Sequence, residues 1–246
     1  MNFAHNSQLD LVVPVYNEPE NVATMYAEVV RLVKADWKMY IVYDFDADPT
    51  LPVLKSIAAS DGRVHIVKST SRGVAHALKT GFDRASAEAI MTLMADDPSS
   101  VIGEIDTILA RFHSENAAIV APSRYMRGGE HWGSWSFKKI LSYSAGASLG
   151  MLVGLPIHDA TYATRMFRRS LLQSITIESS RGFEIALEIT VKAHLKGEKI
   201  VEIPVVWSER VRGVSKFKLF AWLHAYAHWY LYAILRYYLP AQFRNT

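Results

Sequence analysis

The sequence predicts an α/β protein: a mostly parallel sheet flanked by helices, with an amphipathic aromatic helix at the C-terminal end. Three observations predict it. Short apolar runs recur through the first half of the chain. Stretches with helical apolar spacing separate them, which is the pattern of βαβ units. Several of the runs stop abruptly on polar or acidic residues. In an open parallel sheet such strand ends share one edge, and ligands bind there.

The elements follow in order. Leu9 to Val15 is a buried strand that runs into a loop at Asn17. Glu18 to Ala35 places Val22, Met25, Val29, Leu32 and Val33 at helical spacing. Met39 to Tyr43 is a second strand ending on Asp44-Phe45-Asp46-Ala47-Asp48. A helix over 51–59 leads to a third strand, Val64 to Val67. A Ser-Thr-Ser-Arg-Gly loop precedes a helix over 73–85. The fourth strand, Ala89 to Met94, stops on Asp96 and Asp97. A helix over 102–112 precedes a fifth strand over 117–121. The second half is less regular. Residues 127–131 read as a mobile loop and 135–153 as a long helix. Residues 182–195 form an amphipathic helix that stops at Gly197. Residues 199–206 form a strand, and 217–239 a final helix. No linker or internal repeat divides the chain. One domain over 1–216 is expected, its halves meeting near residue 122, with 217–246 as an extension.

The chain has 246 residues, half of them hydrophobic, and a formal charge of +3. That charge is uneven. Residues 1–50 carry three basic and eight acidic side chains, whereas residues 207–246 carry six basic and one acidic. A basic, aromatic tail suits phosphate groups or an anionic membrane surface, or else is a solvated face. With no cysteine, disulfides and thiolate chemistry are excluded. The polar N-terminus lacks an apolar signal region, so a cytoplasmic location is expected. Residues 217–239 are long enough to span a bilayer but include Lys218, His224, His228 and Arg236. Charge near a helix centre is costly in lipid, so a helix lying in the interface plane is expected. His224 and His228 stand four apart without a third ligand nearby, which fits aromatic packing better than a metal pair.

Pro14-Val15-Tyr16-Asn17-Glu18, Asp44 to Asp48 and Asp96-Asp97 all fall at strand ends. A tyrosine, an amide and several carboxylates therefore converge on one crevice. Such a set suits a nucleotide bound through a divalent metal, with an aromatic ring on the base and carboxylates on N–H or ribose groups. There is no G-x-G-x-x-G after the first strand, no Walker sequence, no H-E-x-x-H and no G-x-S-x-G. Dinucleotide dehydrogenases, P-loop enzymes, zinc peptidases and serine hydrolases are thereby disfavoured.

At these motifs the chain resembles inverting family 2 glycosyltransferases of the GT-A fold, a Rossmann-like architecture. Leu11 to Glu18 resembles their opening strand. Tyr43 to Thr50 is similar to their second-strand motif, Arg72-Gly73-Val74-Ala75-His76-Ala77 to R-G-L-G-x-A, and Met94-Ala95-Asp96-Asp97 to the D-x-D position. Ser123-Arg124-Tyr125, Asp159 to Arg168, Gly182-Phe183-Glu184 and Glu209 to Lys216 resemble the dolichol-phosphate mannose synthase and polyprenyl-phosphate sugar transferase branch. The resemblance covers about residues 8–218. It implies a nucleotide-sugar half over 1–122 and an acceptor half over 123–216. It assigns Pro14, Tyr16, Asn17, Glu18, Asp44, Arg72 and Gly73 to the nucleotide sugar, UDP- or GDP-linked. Asp96, with Asp97, would hold Mg2+ or Mn2+ on the diphosphate. Arg124 and Ser142 would contact an acceptor phosphate, and Arg210, Ser215 and Lys216 would close over the diphosphate. Met94 stands where the family has its first aspartate, and Tyr43, Phe45, Asp46 and Pro49 depart from the second-strand motif.

The reading implied is hexose transfer to a polyprenyl phosphate, at the cytoplasmic face of a membrane contacted through 217–239; nucleic acid is not an expected partner. A phosphate acceptor is already ionised and needs no base. A hydroxyl acceptor needs one within reach, and Asp159 is the candidate. A third reading, kept open by Met94, is a weakly active nucleotide-sugar-binding homologue.

Overall fold

Strands Leu9–Val15 (β1), Trp37–Tyr43 (β2) and Val64–Lys68 (β3) alternate with helices Pro19–Leu32 (α1), Leu51–Ser60 (α2) and Val74–Arg84 (α3). The computed structural model describes residues 8–132, 137–208 and 219–239. Strand Ala89–Thr92 (β4) follows, then helices Ser99–Ile102 (α4) and Ile105–Ser114 (α5), and strand Ile119–Ser123 (β5). The second half adds strand Glu130–Trp132 (β6), helix Phe137–Val153 (α6), strand Arg165–Arg168 (β7) and helices Arg169–Ser174 (α7) and Glu184–Leu195 (α8). It ends with strands Ile200–Pro204 (β8) and Val206–Ser208 (β9) and helix Leu219–Tyr237 (α9).

Seven strands form the main sheet in the order β3-β2-β1-β4-β7-β5-β8. All neighbours are parallel except at β7, which runs antiparallel to both β4 and β5. The side-chain period of two sorts the β1 residues between two cores. Leu9, Leu11, Val13 and Val15 pack with α1, α2 and α5 through Met25, Leu54 and Ile108. Val12 points the other way, toward Leu78 of α3, Leu149 of α6, Ile189 of α8 and Trp229 of α9. Helix α3 lies so close to β1 that a Cβ on Gly81 would sit 2.2 Å from Val12 Cγ1.

Two expectations are corrected. The loop expected at 127–131 contains β6, which pairs parallel with β9 in a small second sheet. The helix expected to be amphipathic at 182–195 is enclosed: every residue from Glu184 to Val191 is buried. Its charged groups bond inward, with Glu188 accepting the amides of Glu178 and Ser179. Strand β7 was not expected at all. Helix α9 does not stand apart from the domain. Trp229 is buried and donates from Nε1 to Ser179 Oγ at 2.9 Å, and Lys192 Nζ lies 4.8 Å from its ring centroid. Among the described residues no helix is long and apolar enough to cross a membrane.

Candidate active site

The carboxyl ends of β1, β2 and β4 meet on one edge of the sheet, and tight local bonding shapes them. Asn17 adopts φ +52°, which an amide side chain tolerates. Its N–H donates to Asp48 Oδ2 at 3.0 Å, and the Glu18 N–H donates to Thr50 Oγ1 at 2.8 Å. Asp48, itself buried, thus straps the β1 loop to the β2 loop. Asp44 Oδ2 accepts the N–H of Gly73 at 2.8 Å, and Gly73 has φ +107°, a conformation that side-chain-bearing residues rarely adopt. Asp44 Oδ1 is buried and has no hydrogen-bond partner among the described residues. Exposed Tyr16 tilts against Phe45 with centroids 5.5 Å apart, and the Arg72 guanidinium sits 5.8 Å from the same ring. The structure therefore gathers Tyr16, Asn17, Glu18, Asp44, Arg72 and Gly73. Pro14 is buried within β1, paired with Val42, and forms the floor of this cluster rather than its lining.

The acidic pair beyond β4 divides in role. Asp96 is half-buried. Asp97 is buried and fully engaged. Its Oδ1 accepts the Tyr162 hydroxyl at 2.6 Å, and its Oδ2 accepts the Thr164 hydroxyl and the Met94 N–H. Burial, then the charge of Asp96, pushes the Asp97 acid up to about 6 against those hydrogen bonds. Both oxygens of Asp97, expected with Asp96 to hold a metal, are engaged in holding this turn. Among the described residues no three His, Asp or Glu side chains cluster to hold a metal.

Past β5 the chain builds a second pole. Arg124 lies almost buried, its Nε 2.6 Å from Asp159 Oδ2 and its Nη2 3.0 Å from Oδ1. Tyrosines 125 and 162 and Trp207 flank the guanidinium at 5.1, 4.9 and 5.9 Å. Asp159 is fully buried. Burial alone would raise its acid, yet the charge and hydrogen bonds of Arg124 hold it below the usual carboxylate range. Its backbone is clamped too. Glu202 Oε1 accepts the Asp159 N–H at 3.0 Å, and Arg165 Nη2 donates to its carbonyl at 2.7 Å. Both oxygens of Asp159, the base expected for a hydroxyl acceptor, are engaged by Arg124. Ser142 on α6 shares a hydrogen bond with Thr161 beside this pair.

Tyr162 joins the poles: its hydroxyl reaches Asp97 while its ring lies under Arg124. Tyr125, His131, Tyr162, Trp207, Arg165 and Glu202 were not singled out from sequence. Tyr125, Tyr162 and Arg165 lay inside motif-like segments, but His131, Trp207 and Glu202 carried no signal before the strands placed them. Arg210, Ser215 and Lys216 lie outside the described residues, as do Lys218 and Arg244.

An acidic sheet edge joined through Tyr162 to a nearly buried arginine, on a mostly parallel sheet, fits a glycosyltransferase with a GT-A-like fold. Residues 10–176 match Glycosyl transferase family 2, and the chain belongs to that family. It is 30% identical over 213 residues to a polyprenol monophosphomannose synthase of Mycolicibacterium smegmatis, covering 84% of this chain and 79% of the relative. It is 26% identical over 218 residues to a dolichol-phosphate mannosyltransferase of Pyrococcus furiosus, covering 86% of this chain but 59% of that protein. In structure it is similar to glucosyl-3-phosphoglycerate synthase from Mycobacterium tuberculosis, solved with Mn2+, UDP and glucosyl-3-phosphoglycerate. The TM-score is 0.66 at 13% identity, covering 94% of this chain and 80% of the other, a likeness of fold.

Proposed function

We propose that the protein transfers a hexose from a UDP- or GDP-linked sugar to a polyprenyl phosphate, with inversion. The observation that carries this reading is the Arg124–Asp159 pair. A nearly buried guanidinium at the acceptor pole suits an anionic acceptor. The nearest carboxylate is committed to that guanidinium and held ionised, so it positions a cation rather than abstracting a proton. An acceptor that is already an anion needs no proton abstraction. The named activities of the mycobacterial and archaeal relatives point the same way.

The chemistry follows from the two poles. Tyr16 and Phe45 offer rings to the base, and the orphaned Asp44 Oδ1 offers an acceptor to a base N–H. Asp96 is the carboxylate placed to share a divalent cation with the diphosphate; Mg2+ is commonly held by one or two carboxylates plus substrate phosphates and water. When bound there, Mg2+ or Mn2+ neutralises the charge that develops on the leaving nucleoside diphosphate. Arg210, Ser215 and Lys216 would close over that diphosphate. Arg124, with Ser142, would hold the attacking phosphate on the far side of the sugar, so the two anions are fixed at opposite poles before reaction.

The lipid would lie along the exposed apolar residues of α6 and α9. Ile140, Tyr143, Met151 and Leu152 of α6 are exposed, as are Leu223, Leu231, Leu235, Tyr238 and Leu239 on and just beyond α9. Tyr238 Oη donates to the Leu152 carbonyl at 2.8 Å, which ties the two rows together. Exposed apolar residues gathered on two packed helices suit an interaction surface. A peripheral stance on the membrane's cytoplasmic face suits it.

The deciding assay is transfer from a panel of UDP- and GDP-sugars to undecaprenyl phosphate or dolichyl phosphate with Mg2+ or Mn2+. Sugar should appear in an organic-extractable glycolipid, and Asp96→Ala should lower turnover by roughly 100-fold or more. Unchanged turnover in Asp96→Ala, or transfer only to water-soluble acceptors, would overturn the reading.

A further inference from the structure

Beside Arg124 the small β6–β9 sheet sets His131 opposite Trp207, with ring centroids 4.8 Å apart at 88°. Tyr125 closes the third side, its ring 6.2 Å from that of His131 and 5.1 Å from the Arg124 guanidinium. Two polar atoms here are buried without a hydrogen-bond partner of ordinary geometry among the described residues: Tyr125 Oη, which has the Ser142 side chain nearby, and His131 Nδ1. Each such orphan carries the desolvation penalty of an unmet hydrogen bond. Native structures keep few of them, so two in neighbouring rings call for an explanation.

The candidate partners differ in chemistry. An isoprenoid tail offers no hydrogen bonds. The nucleotide base belongs to the Tyr16–Asp44 cluster, on the loops after β1 and β2. What must lie between Asp96 and Arg124 during transfer is the sugar, whose anomeric carbon links the two phosphates. His131 is neutral over the working pH range, because burial first, and then Arg124 and Lys139, lower its imidazolium to about 4. In its Nε2–H tautomer Nδ1 offers a lone pair, while the Tyr125 phenol offers a proton. One acceptor beside one donor is the complement of an alcohol, which both gives and takes a hydrogen bond. A phosphate oxygen gives none.

We infer that Tyr125 and His131 read one hydroxyl of the transferred sugar and so determine which nucleotide sugar is used. The hydroxyl donates to His131 Nδ1 and accepts from Tyr125 Oη, and the Trp207 ring offers an apolar wall to the sugar's C–H face. This rests on the sugar-transfer function proposed above.

The test compares wild type, Tyr125→Phe and His131→Gln on UDP-glucose, GDP-mannose and their single-deoxy analogues, with undecaprenyl phosphate in detergent micelles. With the preferred sugar, one deoxy position should cost the wild type about 10–100-fold in kcat/KM, and each substitution should cost a similar factor on the parent donor. In the variants, removing that same hydroxyl should cost no more than about two-fold further, with KM for undecaprenyl phosphate unchanged. The Tm of Tyr125→Phe should change little, because among the described residues the hydroxyl it removes meets only the Ser142 side chain, outside ordinary hydrogen-bond geometry. A loss appearing as raised KM for undecaprenyl phosphate, with discrimination among deoxy donors intact, would overturn the inference and assign these atoms to the acceptor phosphate. Unchanged kinetics, or a large fall in Tm for Tyr125→Phe, would also overturn it. If the wild type transfers from no donor at all, the proposed function fails and this inference with it, a result distinct from an active wild type with indifferent variants.

Discussion

Arg124 and Asp159 show how much one buried ion pair can carry. Removing one partner of such a pair leaves a stranded charge, at a cost of about 3–5 kcal/mol. Arg124→Met should therefore lower stability by roughly that amount. Adding Asp159→Asn to it should restore much of the stability but none of the transfer activity, as chemical denaturation and a glycolipid assay would show. Equal instability in the double variant would mean that Asp159 is held by more than Arg124. Asp97 makes a different prediction. Folding raises its acid from 3.8 to about 6, so its protonated form favours the fold. That contribution is fully present below pH 4 and is lost as pH rises through 6. Between pH 4 and 7, Tm of the wild type should fall relative to that of Asp97→Asn; parallel Tm curves would refute the assignment.

The elements that apolar patterning revealed were those whose neighbours in sequence are neighbours in the sheet. Strands β1 to β3 and helices α1 to α3 alternate as βαβ units, and their apolar residues repeat at the period each element needs. Strand β7 escaped notice because its four residues, Arg165–Arg168, begin and end on arginine. Nothing local marks it as a strand; pairing with β4 and β5 makes it one. The donor edge was legible for the same reason that β1 and β2 were, since its residues sit where those strands stop. The second pole was legible only in part, because Arg124, Ser142 and Asp159 come from three segments, after β5, on α6 and before β7, that only the folded chain brings together. Close backbone approach is what holds one of those segments. A Cβ on Gly146 of α6 would fall 1.8 Å from the His158 carbonyl oxygen, next to Asp159. Gly146→Ala should thus cost about 1–3 kcal/mol and raise KM for the lipid phosphate more than it lowers donor binding. A raised KM for the nucleotide sugar instead would show that the disturbance travels to the other pole.

For the molecule as a whole, the exposed rows on α6 and α9 and the basic C-terminal region point to a surface function. Trp229, Tyr230 and Tyr238 fasten α9 to the domain through Ser179, Ser148 and Leu152, so α9 presents its outer leucines from a fixed platform. Leu231→Glu with Leu235→Glu should abolish flotation with anionic vesicles while leaving nucleotide-sugar binding intact, since both leucines are exposed. Retained flotation would place the membrane contact elsewhere. Composition had suggested this stance, but not that the helix is anchored by its own aromatic face.

The reversal at β7 has one further consequence. Strand β5 leaves the sheet at Ser123 and β7 re-enters it at Arg165, hydrogen-bonded alongside. Everything between departs from and returns to nearly the same place, and that excursion contains Arg124, Ser142, Asp159 and Tyr162. The chain has in effect a cassette with adjoining ends. Such a cassette could be exchanged between relatives to redirect the product while the donor-side scaffold stays whole, provided that α9, which packs on α6, is exchanged with it.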